Sequence, residues 1–220
     1  SSITGKALLD LDMEAVMGEG GGVIGSGATA IRRALKIAET LSCVLGISEF
    51  EKAVGGLASS NLTDGGETAR TIGFMLNWMQ EQQGVFVFAT ANDVRELAGE
   101  QVREGRFSKI IFVDLPSRED RTEIFAVHLR KRKRNPEGFD LEALSQATDG
   151  FSGAEIENAV KGGLLTAFMD GARQVTTQDI LGRVRSTRPL SEVKREQIEE
   201  LRQWARTHLA LKTSRQARPR

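Results

Sequence analysis

A chain of 220 residues, 40% hydrophobic and 27% charged, has an ordinary globular composition and is long enough for one large domain or a domain and a half. Its 30 basic and 30 acidic side chains cancel to a formal net charge of zero, which excludes a global field drawing it to nucleic acid or to a membrane surface. With a single cysteine, Cys43, no disulfide can form within the chain, which fits a reducing compartment.

The opening segment SSITGKALLDLD lacks the charged-then-apolar layout of a signal peptide. No apolar stretch approaches the ~20 residues that a membrane helix needs. A cytoplasmic chain, or one in the soluble phase of an organelle, is therefore expected, and no repeat of solenoid period is present. Four short apolar runs read as strands: ALLDLDM (7–13), CVLGISEF (43–50), VFVFATA (85–91) and KIIFVDLP (109–116). Cys43 sits inside the second and reads as a small buried residue. Helical periodicity separates the first three runs, with Ile31, Ala34, Leu35 and Ala38 in 30–41, and Ile72, Met75, Leu76 and Met79 in 67–82. Strands alternating with helices predict a mostly parallel sheet covered by helices. The middle runs are apolar at nearly every position, as strands buried on both faces should be.

After Pro116 the pattern becomes wholly helical. Ser117 with Asp120, Ser152 with Glu155 and Thr176 with Asp179 have the spacing of a capping box, in which two helix-terminal donors are satisfied reciprocally. Helices are expected over about 118–131, 140–148, 153–170 and 177–185, then an amphipathic stretch over 191–210 carrying Ile198, Leu201, Ala205 and Leu209. The domains predicted are 1–130 (α/β), 131–190 (helical) and 191–220 (a C-terminal helix and basic tail). At the junction stands RKRKR (130–134). A solvated helix end is the favoured reading of that run, because cations suit the negative end of the helix dipole; a nucleic-acid contact is the alternative.

In order, CVLGISEFEKA, VFVFATAND, QVREGRFSKIIFVDLP, REDRTEIFAVHLRKR and GFSGAEIENAV resemble an AAA-type ATPase module, most nearly the plastid-encoded and cyanobacterial open-reading-frame family of AAA ATPases. The resemblance runs from Ala7 to about Ala205. It implies a P-loop NTPase-like α/β domain with a C-terminal helical lid, ATP and magnesium as cofactors, and a ring of like or unlike neighbours that remodels a macromolecule, possible protein substrates included. A plastid stroma becomes an alternative to the cytoplasm. The acidic pair of the family falls on Ser48-Glu49, where Glu49 matches the residue that orients the attacking water. Asn92 matches the sensor of the terminal phosphate. Arg103 and Arg106 match the fingers that reach a neighbour's site, where a planar guanidinium stabilises charge spread over phosphoryl oxygens. Gly153 and Ala154 match the helix start beside the base, and VMGEGGGVIG (16–25) matches the loop facing the ring pore.

The departures gather around nucleotide chemistry. A phosphate loop has the pattern G-x-x-x-x-G-K-[ST], whose N–H groups cradle phosphates. The nearest candidate, Thr4-Gly5-Lys6, has no upstream glycine, and Ala7 replaces the hydroxyl residue. Gly5 and Lys6 are thus doubtful cofactor residues. The strand and helix flanking that loop are expected to be missing, as in a module truncated at its N-terminus. Ser48 replaces the carboxylate that would hold hydrated magnesium; Glu51 is the nearby acid that could compensate. Gly27 and Ala28 stand where the family carries an acid, and LAGE (97–100) replaces a stretch that often contains proline. Hydrolysis is therefore expected to be impaired. A non-catalytic oligomerising or adaptor subunit is the alternative, and nucleic-acid binding through the basic segments a further one.

Overall fold

The computed structural model describes residues 5–18, 26–55, 67–82, 84–93 and 107–208. The chain divides into two compact units, Ser1–Lys109 and Ile110–Arg220.

In the first unit β1 (Leu8–Asp12) leads into α1 (Met13–Gly18) and α2 (Ser26–Leu41). Next come β2 (Val44–Ser48), α3 (Phe50–Gly55), α4 (Glu67–Glu81) and β3 (Phe86–Ala89). The three strands pair in the order β1-β2-β3, all parallel, with Asp10 opposite Gly46 and Gly46 opposite Phe88. Side chains alternate across a strand, so Leu9, Leu11, Leu45, Ile47, Val87 and Ala89 share one face. They pack against Ile31, Leu35 and Ala38 of α2 and Ile72, Met75 and Leu76 of α4. Trp78 Nε1 and Gln82 Nε2 both donate to Glu39 Oε1, tying α4 to α2. Cys43 is a free, buried thiol.

The other face differs from expectation. β2 is buried on both sides, but β3 is not: Phe86 is 67% and Phe88 40% exposed, with Leu8 of β1 at 53% on the same face. Apolar content alone made β3 look doubly buried; its register puts both phenylalanines opposite the face that α2 and α4 cover.

The segment 109–116, expected as a strand, forms no strand of its own. Phe112 makes a single bridge, and Ile111 and Val113 are exposed. Side chains take up polar groups that a ladder would have used. Asp114 Oδ1 accepts from the Leu115 N–H, and the Pro116 carbonyl accepts from Arg121 Nη1.

Then follow α5 (Arg118–Lys131), a 3-10 turn (Pro136–Gly138), α6 (Leu141–Ala147), α7 (Gly153–Met169), α8 (Thr177–Arg185), α9 (Leu190–Val193) and α10 (Arg195–His208). The capping boxes at Ser117/Asp120 and Ser152/Glu155 both form. Phe125 and Leu129 of α5, Leu144 of α6, Ile156 and Val160 of α7, and Ile180 and Val184 of α8 make the core. Since α5 packs here, this unit begins ahead of the junction expected near residue 130. Gly163 lets α7 and α8 approach: a Cβ there would lie 2.7 Å from Ile180 Cγ1 and 3.0 Å from its backbone nitrogen. Buried Arg121 joins elements through the Ser145 carbonyl and Asp149. The stretch expected over 191–210 is broken at Lys194.

Candidate active site

At the carboxyl end of β2 the chain is stitched to β3. The Thr90 N–H donates to the Ile47 carbonyl and the Phe50 N–H to the Thr90 carbonyl, each at 2.9 Å. Between those bonds Glu49 adopts φ 56°, a left-handed conformation uncommon for a residue with a side chain. Its carbonyl accepts from the Lys52 N–H as α3 begins. Asn92 lies two residues beyond Thr90 and is exposed. Glu49 and Asn92 therefore stand on the same edge of neighbouring parallel strands, the edge at which open α/β sheets bind ligands.

Ser48 is engaged on the next strand over. Its Oγ donates to Asp10 Oδ1 at 3.3 Å. Asp10 lies opposite Gly46, so the bond runs diagonally across the sheet. Gly46 leaves room for the Phe88 ring: a Cβ at 46 would sit 2.9 Å from that ring and 3.2 Å from Asp10 Oδ1. One face thus brings together the Asp10 carboxylate, the Ser48 hydroxyl and the Phe88 ring. Asp12, the other acid of LLDLD, accepts instead from the Ala15 N–H at the start of α1. Glu51 is 3% exposed in α3, and its Oε2 has no hydrogen-bond partner among the described residues. The acid bonded to Ser48 is Asp10, which sequence reasoning missed.

Lys6 and Gly5 stand elsewhere. Gly5 has φ 65°, and Lys6 Nζ donates to the Gly84 carbonyl at 3.4 Å, just before β3. That is the amino edge of the sheet, separated from Glu49 and Asn92 by a strand length of about 16 Å. Arg103, Arg106 and residues 19–25 of the pore-loop segment lie outside the described residues. No group of three His, Cys, Asp or Glu side chains that could hold a metal stands among the described residues, and the Ser48 hydroxyl is given to Asp10.

In the second unit Gly153 and Ala154 form the first turn of α7. Gly153 lines a largely apolar cavity of about 300 Å³ with Phe112, Asp114, Pro116, Ile198 and Leu201. Arg202 Nε spans both Asp114 carboxylate oxygens, at 3.0 and 3.1 Å, and fixes α10 there. Farther along α7, Arg132 and then Lys161 hold the Glu157 carboxyl down at about 2. Burial is the main cause that pushes His128 below its ordinary value, against the opposing pull of Glu157 3.9 Å away.

Comparison with known proteins agrees with this architecture. The model of the ATPase family associated with various cellular activities (AAA) matches residues 2–115, and the AAA+ lid domain matches 138–182. An AAA domain-containing protein, ycf46, of Pyropia yezoensis is 40% identical over 215 residues, covering 93% of this chain and 42% of that protein. Its counterpart in Guillardia theta is 39% identical over 201 residues, covering 90% and 38%. The chain thus spans about two fifths of the length of these curated relatives. Among solved structures, the FIGL-1 AAA domain in complex with ADP superimposes with a TM-score of 0.72 at 20% identity, covering 92% of this chain and 70% of that one, a likeness of fold. No helix among the described residues is long and apolar enough to cross a membrane.

Proposed function

The chain belongs to the AAA family of ATPases, and from that premise we propose that these 220 residues are a remodelling-type AAA module in which hydrolysis of ATP is impaired. The observation that carries the reading is the Ser48–Asp10 hydrogen bond. A neutral hydroxyl stands at the metal position, and its proton is directed at a neighbouring carboxylate rather than at a hydrated cation. Glu49, held left-handed beside the Thr90 link, keeps the water-orienting position, and Asn92 shares its edge. Gly153 and Ala154 supply the helix start for the base. Neither Gly5 nor Lys6 supplies a phosphate cradle from the amino edge of the sheet.

Titration of a fluorescent ATP analogue against the purified chain tests this, with phosphate release followed in magnesium. Binding weaker than micromolar and no magnesium-dependent turnover are expected; micromolar affinity with turnover overturns the reading.

A second reading is favoured by the fully built helical unit, in which the capping boxes and the core are intact while the departures cluster at nucleotide chemistry. The chain then acts as an oligomerising or adaptor subunit of a ring, in the cytoplasm or a plastid stroma, and Arg103 and Arg106 complete a partner's site. Mixing it with an active family member should raise turnover, and Arg103→Ala should abolish the rise. Equal turnover in all mixtures excludes that role.

A further inference from the structure

The five residues Arg130 to Arg134 are consecutive cations in a chain whose net charge is zero. The structure separates them by role. Arg132 is half-buried and committed, its Nη2 donating to Glu157 Oε1 at 2.9 Å. Arg130, Lys131, Lys133 and Arg134 are exposed, and none forms an ion pair among the described residues. Among the described residues, the one acid bonded to the run, Glu157, is shared with Lys161 at 3.0 Å. The helix ends inside the run: α5 stops at Lys131, Lys133 has φ 57°, and the Lys133 and Arg134 N–H groups return to the carbonyls of Arg130 and Leu129.

A helix C-terminus is stabilised by one or two cations in its last turn, and the benefit falls off beyond that turn. Lys133 and Arg134 lie past it. Crowding like charges costs free energy through mutual repulsion, which a dense array of anions would relieve. We propose that this corner of the second unit is a docking surface for the phosphate backbone of a nucleic-acid duplex, bound without regard to sequence.

Two features favour a duplex over an acidic protein segment. Protein partners draw their affinity from apolar and aromatic anchors at the centre of a patch, and 130–134 holds no apolar side chain. Duplex DNA presents about one negative charge per 1.7 Å of axis, and cations alone suffice to bind it by releasing its counterions. The run also lacks an aromatic residue to stack on the bases of a single strand.

The test uses the full chain and a variant in which Arg130, Lys131, Lys133 and Arg134 are all changed to Gln, leaving Arg132 in place. Exposed and unpaired, the four side chains can be changed with the fold kept, which circular dichroism and the melting temperature verify. Anisotropy of a labelled random-sequence 20-bp duplex is measured across a salt series, with poly-glutamate and single-stranded DNA alongside. The parent should bind the duplex in preference to poly-glutamate, equally for unrelated sequences. The variant should bind at least tenfold more weakly at low salt, with its log–log salt slope shallower by about 3 to 4. Equal binding by parent and variant, as when the basic segment 212–220 alone holds the duplex, overturns the proposal. So does tighter binding of poly-glutamate or of the single strand. None of these readouts depends on ATP, so failure here leaves the proposed function untouched.

Discussion

The Ser48–Asp10 bond sets what a single residue can do at the end of β2. Restoring the family carboxylate with Ser48→Asp would place two like charges on adjacent strands, about 3 Å apart. Cross-strand like charges are destabilising by up to ~1 kcal/mol, and one of the pair would take up a proton more readily. S48D should therefore melt below the parent at pH 7, approach it at pH 4, and recover at pH 7 when combined with Asp10→Asn. An S48D melt equal to the parent at both pH values would show that the carboxylates avoid one another. A second residue-scale expectation concerns two adjacent glycines of α7. Gly163→Ala drives a methyl group into the Ile180 backbone and should cost about 1–3 kcal/mol of stability by overpacking. At Gly162 the three atoms nearest the same methyl belong to the Arg183 side chain, not to backbone, so Gly162→Ala should change the urea midpoint far less. Glu49 and Asn92 could be singled out only through the family resemblance, which aligns them with the water-orienting and phosphate-sensing positions. Asp10 could not, because its bond to Ser48 depends on the offset between two strands 38 residues apart in sequence.

Among elements, legibility follows how local the determinants are. The helices α5 and α7 announce themselves through capping boxes that need only four consecutive residues, and both boxes form. KIIFVDLP has the composition of a strand, yet only Phe112 makes a bridge, and Asp114 and Arg121 take up polar groups at its end. The exposure of β3 was hidden for a related reason: Phe86 and Phe88 reveal their face only through pairing with β2. The α5–α7 contact also titrates. Arg132 and Lys161 lower Glu157 from 4.5 to about 2. A carboxyl depressed on folding stabilises the fold above its unfolded value, and that contribution is lost as pH falls through the folded one. Between pH 4.5 and 2 the parent should therefore lose melting temperature more steeply than Glu157→Gln, as followed by circular dichroism at 222 nm. Parallel curves would mean that the Arg132–Glu157 pair contributes nothing to stability, as many exposed pairs do.

At the scale of the whole molecule, the first unit keeps a parallel sheet whose carboxyl edge carries Glu49 and Asn92, and the second keeps a helical core. The family order of motifs made both units legible, since each motif carries its neighbours' expected fold with it. What the order could not convey is how the last helices are secured. Glu155 does two tasks at once: Oε2 closes the capping box at Ser152, and Oε1 accepts from the Leu190 N–H at 2.7 Å. Farther on, Asp114 grips Arg202 of α10. The first turn of α7 and the start of α9 thereby share one carboxylate, and this makes them a single unit of opening. Amide hydrogens in both should exchange with deuterium at matched rates. Glu155→Gln should accelerate the two together while the amides of β2 keep their protection. Unequal acceleration would show that the two turns open separately.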